Sequence, residues 1–106
     1  MKGTHKLLKI FLGGSDTFEG QPMYKAIVEL CIKNKIAGAT VQRCIYGYGK
    51  SQVIRSSRSL SLSDNLPIVI EVVDSEDNLN KVIPDIRAML DGGLITMENI
   101  EVLEYK

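Results

Sequence analysis

The 106-residue sequence predicts an α+β fold, a ferredoxin-like βαββαβ sandwich with two helices on one face of a four-stranded antiparallel sheet. Three observations carry that expectation. Apolar residues alternate with period two at 6–12, β-branched and aromatic residues gather at 40–46, and apolar residues run on both faces of 67–73, the marks of strands. Two longer segments, one after Pro22 and one after Ser75, repeat apolar residues at three- and four-residue steps, the mark of helices with one buried face. The order strand, helix, strand, strand, helix, strand has this sandwich as its simplest two-layer packing. At this length a single domain, residues 1–106, is expected.

In residues 6–12, Leu8, Ile10 and Leu12 share one face and Leu7, Lys9 and Phe11 the other. Gly13-Gly14-Ser15-Asp16 breaks the strand. Pro22 suits the first helical turn, where a missing N–H costs nothing. Met23, Ala26, Ile27, Leu30 and Cys31 then form a stripe, Lys33 and Lys35 fall where they complement the helix dipole, and Gly38 stands where a left-handed cap belongs. Residues 40–46 are rich in β-branched and aromatic side chains. Residues 67–73, PIVIEVV, are apolar on both faces and predict a central strand covered twice, by helices on one side and by a partner subunit on the other. Asp74 or Ser75 caps the second helix, Glu76 and Asp77 sit in its first turn, and Leu79, Val82, Ile83, Ile86, Met89 and Leu90 make its buried stripe. Pro84 predicts a kink in that helix. After Asp91-Gly92-Gly93, two short strands are expected, at 94–96 and 100–105.

Net charge is zero, yet residues 1–58 hold ten Lys/Arg against three Asp/Glu and residues 59–106 three against ten. That predicts either a bipolar surface, suited to self-association or an anionic ligand, or a dipole that folding interleaves away. A dedicated nucleic-acid binder would carry a sustained basic excess, which is missing. No apolar run reaches the roughly 20 residues of a membrane span. The basic start runs quickly into Gly-Gly-Ser-Asp, unlike a signal peptide, so a cytoplasmic protein is expected. Cys31 and Cys44 match no metal or redox spacing and read as reduced, packed thiols; no metal site is expected.

Gly47-Tyr48-Gly49-Lys50-Ser51 ends like a phosphate-binding P-loop, but Cys44 stands where that motif needs its first glycine, and no helix start follows. The glycines still permit close backbone approach of a ligand, and Lys50 offers an anion partner; a solvated hairpin explains the same residues. The loop at about 49–65 is too long for a tight hairpin and carries Lys50, Arg55 and Arg58 with no acid before Asp64, so it suits an anion or a partner, or is a plain solvated arm. Ser59-Leu60-Ser61-Leu62-Ser63 alternates and would extend the third strand. KIFLGG looks like the first motif of an RNA-recognition domain, but the third strand lacks the aromatic residues that stack on bases, so no nucleic acid is expected. No nucleophile and base can be assembled, and Glu71 and Asp74 face opposite sides of a strand; no enzyme and no catalytic residue are assigned.

Gly38-x-Thr40-Val41 followed by Gly47-Tyr48-Gly49-Lys50 resembles the second strand of the PII signalling proteins. Nearly the whole chain, about residues 6–105, is similar to an uncharacterised PII-like family, a domain of unknown function, through KLLKIFLG, AGATVQRCIYGYG, SLSLSDNLPIVIEVVDSED and GGLITMENIEVLEY. The resemblance implies a trimer that binds ATP, ADP, AMP or a similar small anion as effector, not as a cofactor, in clefts between subunits. It also implies a loop between strands two and three that reports occupancy to a protein partner, for example a membrane transporter. By the same resemblance Gly47, Gly49 and Lys50 form the loop base and touch phosphate, Gln52 supplies an amide, Arg55 and Arg58 lie on the loop, and Gly92 and Gly93 lie near a second phosphate-facing loop. The alternative is an interaction module that regulates a transporter or enzyme without a ligand. The chain departs from PII by one extra residue between Val41 and Gly47, which flips side-chain parity unless a bulge absorbs it. It also lacks PII's Gly-Asp-Gly-Lys run and a recognisable tyrosine for modification.

Overall fold

The computed structural model describes residues 1–58 and 65–106. Ten elements follow in order: β1 (Gly3–Gly13), β2 (Thr17–Phe18), β3 (Gln21–Pro22), α1 (Met23–Lys33), β4 (Ala39–Arg43), β5 (Tyr46–Gly47), β6 (Arg55–Ser56), β7 (Pro67–Asp74), α2 (Glu76–Met89) and β8 (Leu94–Val102). The main sheet has the order β4-β7-β1-β8, with every neighbouring pair antiparallel. With its two helices it is the expected α+β sandwich.

Register shows how period-two patterning sorts the side chains. Leu8 stands opposite Val72, Ile10 opposite Ile70 and Leu12 opposite Ile68. All six are buried, and they meet Ile27 of α1 and Leu79, Val82 and Ile86 of α2 in one core. Each such side chain removed from water contributes about 1.5–3 kcal/mol. The alternate residues face away from the helices, where Leu7 pairs with Val73, Lys9 with Glu71 and Phe11 with Val69. No described element of the same chain covers that face; it stays open apart from its own rim.

Several expectations change. The second strand stops at Arg43 rather than at Tyr46: Cys44 N–H still reaches Pro67 O at 2.8 Å, after which the chain leaves the sheet. Tyr46–Gly47 instead pairs with Arg55–Ser56 in a separate two-stranded arm. The break at Cys44 and Ile45 falls within the Val41–Gly47 spacing that is one residue longer than in PII. The two short strands expected near the end are one edge strand, β8, paired with β1 from Leu94 to Val102. Its outward side is exposed, so no apolar alternation marks it.

Residues 17–22 form a hairpin. Glu19 and Gly20 both have positive φ, 49° and 83°, as its tight two-residue turn requires. Pro22 is the residue before α1, not in its first turn. The left-handed residue after α1 is Lys35, φ 58°, not Gly38. Pro84 lies within a single α2, one element as expected. The alternating serine and leucine segment lies outside the described residues. Cys31 is buried, which pushes its thiol up, and both cysteines are free, as expected.

Asp74 is the one buried charged residue among those described, 6% exposed. Its carboxylate accepts from Ala37 N–H at 2.9 Å, Ser75 N–H at 2.7 Å and Asn78 Nδ2–H at 3.0 Å. It thereby ties β7 to the α1–β4 turn and to the start of α2, which Ser75 caps by accepting from Asn78 N–H at 3.2 Å. Burial alone would raise this carboxyl's pKa. The hydrogen bonds from Asn78, Ser75 and Ala37, with a further pull from nearby His5, outweigh it and hold the group below its usual range.

Replacing Asp74 by Ala should lower stability at neutral pH by about 1–3 kcal/mol, because three donors lose a buried acceptor. A lowered folded pKa means that the carboxylate's contribution is present above its unfolded value of about 3.9 and fades as pH falls through the folded one. Urea unfolding at neutral pH and near pH 3 should therefore show the gap between parent and variant narrowing in acid. A gap independent of pH would contradict this account. Gly93 supplies a second test. Its φ is 126°, and an added Cβ would lie 2.5 Å from Phe11 O, whereas one at Gly92 would meet nothing within 4 Å. Gly93→Ala should cost about 2 kcal/mol or more and Gly92→Ala less than about 0.5 kcal/mol in the same unfolding measurement.

Candidate functional site

One end of the sheet gathers the residues that the sequence singles out. There Arg43 of β4 stands opposite Ile68, Ile68 opposite Leu12, and Phe11 opposite Leu94. From the β4 edge projects the arm built on β5 and β6. Gly47 pairs with Arg55, and the chain between them turns where Gln52 N–H donates to Gly49 O at 2.9 Å. Lys50 and Ser51 sit at the corner of that turn, exposed. Gln52 is left-handed, φ 60°, whereas Gly47 and Gly49 are not. An added Cβ at Gly49 would meet nothing within 4 Å, and one at Gly47 would make an ordinary 3.5 Å contact with Pro67. The fold does not demand glycine at either position, which leaves their backbone accessible to a ligand. Arg58 follows β6, and its N–H donates to Ser56 Oγ at 3.2 Å.

From the opposite edge, Gly92 and Gly93 lead into β8. They line a shallow pocket of about 330 Å3 with Arg87, Leu90, Asp91 and Ile95. Arg87 is missing from the sequence reading. Its signal was its place in the last turn of α2, one helical turn before Asp91, which puts a guanidinium beside the glycines. The structure thus brings Gly47, Gly49, Lys50, Gln52 and Arg55 together on one arm, with Arg58 just beyond. It does not bring them to Gly92 and Gly93. Three inter-strand gaps, roughly 14 Å in all, separate the two edges.

Between the edges lies a turn that the sequence reading took only as a strand break. Asp16 accepts from Gly13 N–H at 3.0 Å, and Gly14 N–H donates to Leu66 O at 2.9 Å. Ser15 Oγ–H reaches Asn65 Oδ1 at 2.7 Å. The return end of the long loop is therefore latched to the first turn, and a polar serine–asparagine pair so distant in sequence carries no local signal.

The strand order alternates the basic and acidic halves of the sequence, with Lys9 of β1 opposite Glu71 of β7, so much of the asymmetry folds away and only the edges keep it. Residues 38–58, on and beyond the β4 edge, contain Arg43, Lys50, Arg55 and Arg58 and no acid. Residues 94–106, on the β8 edge and after it, contain Glu98, Glu101 and Glu104 against Lys106 alone. The sheet order puts these two groups on opposite edges. Among the described residues no three His, Cys, Asp or Glu side chains are grouped to hold a metal, and no helix is long and apolar enough to cross a membrane.

Comparison with known proteins follows the same outline. A UPF0166 protein of Aquifex aeolicus is 40% identical over 98 residues, covering 92% of each chain. CPII of Thiomonas intermedia K12, described as a nitrogen regulatory PII-like protein bound to ADP, AMP and bicarbonate, superposes with a TM-score of 0.68 at 18% identity, over 93% of this chain and 88% of that one. A putative PII-like signaling protein from Thermus thermophilus gives a TM-score of 0.69 at 20% identity, over 96% of this chain and 93% of that one. At such identities the two structures share the fold, which is PII-like. The profile of one family, described as Uncharacterized ACR, COG1993, matches residues 5–102, and with the Aquifex relative it places this chain in the DUF190 family.

Proposed function

We propose that the chain is a PII-like regulatory protein that binds an adenine nucleotide or comparable small anion between copies of itself, as a ring of three, and reports occupancy to a protein partner through the β5–β6 arm. The observation that carries this reading is the split of the site. Lys50 with its turn and Arg87 with Gly92 and Gly93 lie at the same end of the sheet but on opposite edges, so a neighbouring copy set edge to edge would complete one anion site from two halves. Each half offers exposed backbone and one cation, the pairing that phosphate oxygens call for. The open sheet face, with Leu7, Phe11, Val69 and Val73, gives an independent reason for copies to associate. The ADP and AMP named for CPII support the choice of ligand class. No step here is chemical, and the chain is read as a binding protein rather than an enzyme.

A second reading, an interaction module that regulates a transporter or enzyme without any small ligand, draws on one feature: the arm exposes Ile45, Tyr46, Tyr48, Val53 and Ile54. Calorimetric titration with ATP, ADP, AMP and cyclic AMP separates the two. The first reading expects at least one Kd below about 1 mM, and a loss of about tenfold or more in Lys50→Ala, since a hydrogen bond to a charged group is worth about 1.5–3 kcal/mol. Silence across the panel at several millimolar would remove the nucleotide and leave the second reading. Light scattering reports the mass of the ring in the same samples, and a stable monomer would overturn the shared site.

A further inference from the structure

The last strand presents an unguarded edge. β8 pairs with β1 along one side, from Leu94 to Val102, and its other side pairs with no strand among the described residues. An exposed edge is normally blunted by brevity, a bulge, a proline or a lysine. LITMENIEV is nine residues long, keeps one unbroken register, and holds neither proline nor lysine. Leu94 and Met97 on it are 55% and 40% exposed. The opposite edge strand, β4, is likewise paired on one side only, with β7 from Ala39 to Arg43. Because every neighbouring pair is antiparallel, β4 runs with β1, and β8 runs against both. Copies standing the same way up therefore meet β4 to β8 in antiparallel directions, which is how the ladder already runs.

We propose that β8 of one copy adds to the β4 edge of the next as an antiparallel strand, and that this pairing assembles the two halves of the anion site. The proposal rests on the reading that copies share that site, and it names the contact that builds it. Side-chain parity limits the register. Ala39, Val41 and Arg43 lie on the helix side with Val72, Ile70 and Ile68, and Ile95 and Met97 lie there with Ile10 and Leu8. Keeping the faces together sets odd-numbered residues opposite odd-numbered ones. With Arg43 level with Ile95, Val41 covers Met97, Gln42 faces Thr96 and Thr40 faces Glu98. The arm that follows Arg43 then comes to the Gly92–Gly93 turn that precedes Leu94. Charge picks β4 over a second β8. Two β8 strands paired about their centre would set Glu98 against Glu98, whereas β4 offers Arg43 and no acid. Because the two edges differ, each copy gives one and receives one, as a closed ring requires.

Cysteine cross-linking tests this in the full chain carrying Cys44→Ser, with Cys31 buried. Gln42 and Thr96 are exposed and lie on opposite edges. In one chain three inter-strand gaps, roughly 14 Å, separate them, beyond the roughly 7 Å between Cα atoms that a disulfide can bridge. A bond in Gln42→Cys/Thr96→Cys must therefore join two copies. Mild oxidation should give a ladder on a non-reducing gel that ends at three copies and collapses on reduction. Gln42→Cys alone and Thr96→Cys alone should stay single, and a mixture of the two should give two-copy product only. Hydrogen exchange on the unaltered chain gives a second measurement. The β8 amides that point away from β1 should exchange at least tenfold more slowly in the associated protein than after dilution to the monomer. Linking of Thr96→Cys to itself would overturn the proposal in favour of β8 on β8. No link in the double variant, with those amides unprotected in an associated parent, would overturn it in favour of another contact between copies. A parent that stays monomeric would overturn this pairing and the shared site together. The nucleotide titration is read on the parent alone, so a blank ligand panel and a failed cross-link are separate outcomes.

Discussion

A strand with neighbours on both sides has two faces, and a two-layer sandwich hides only one of them. The rest of this structure answers to that constraint at β7. Ile68, Ile70 and Val72 go beneath the helices, and Asp74 closes the same face by gathering three donors. Val69 and Val73 are left on the side that no helix reaches. A chain selected only to fold alone would place polar residues there, as a half-solvated antiparallel strand normally does. The helices, the capped turn around Asp74 and the register with β1 secure one layer; the apolar remainder points away from it, where no described element covers it.

The same economy governs the long connection. The chain departs from the sheet at Cys44 and Ile45, makes a small two-stranded arm, and returns at Asn65, held by Ser15. Basic residues collect on the departing side and acidic ones on the far edge. Edge strands usually invite unspecific pairing, and charge is one way of restricting it. Here the two edges carry opposite charge, which penalises like edges and favours unlike ones. Specificity in such an arrangement arises from repulsion as much as from attraction.

Much of the fold was legible because the core obeys simple periods. Leu8, Ile10 and Leu12 alternate as they should, and Leu79, Val82 and Ile86 fall on one helical stripe, so order and faces could be read directly. The edges were less legible, for physical reasons. β8 has one exposed side and no hydrophobic rhythm, so nine paired residues looked like two fragments. The arm leaves the sheet after Arg43, at a break that Cys44 and Ile45, both ordinary strand residues, do not mark. The β2–β3 hairpin needs left-handed backbone at Glu19, a residue that seldom advertises it. For the site, Lys50 and its glycines were visible as a motif. Arg87 was overlooked because its place in the last turn of α2 reads as ordinary helix charge until α2 is seen beside the Gly92–Gly93 turn.

The latch between Ser15 and Asn65 has a mechanical side. A loop tied at one root and released from its ladder at the other cannot rise as a rigid unit. Whatever takes hold of the β5–β6 arm pulls against the Cys44–Ile45 break, while the return root stays with the turn that ends β1. The arm's one described covalent root in the sheet is thus the end of β4, at the edge strand, while Asn65 is fastened to the turn that closes β1.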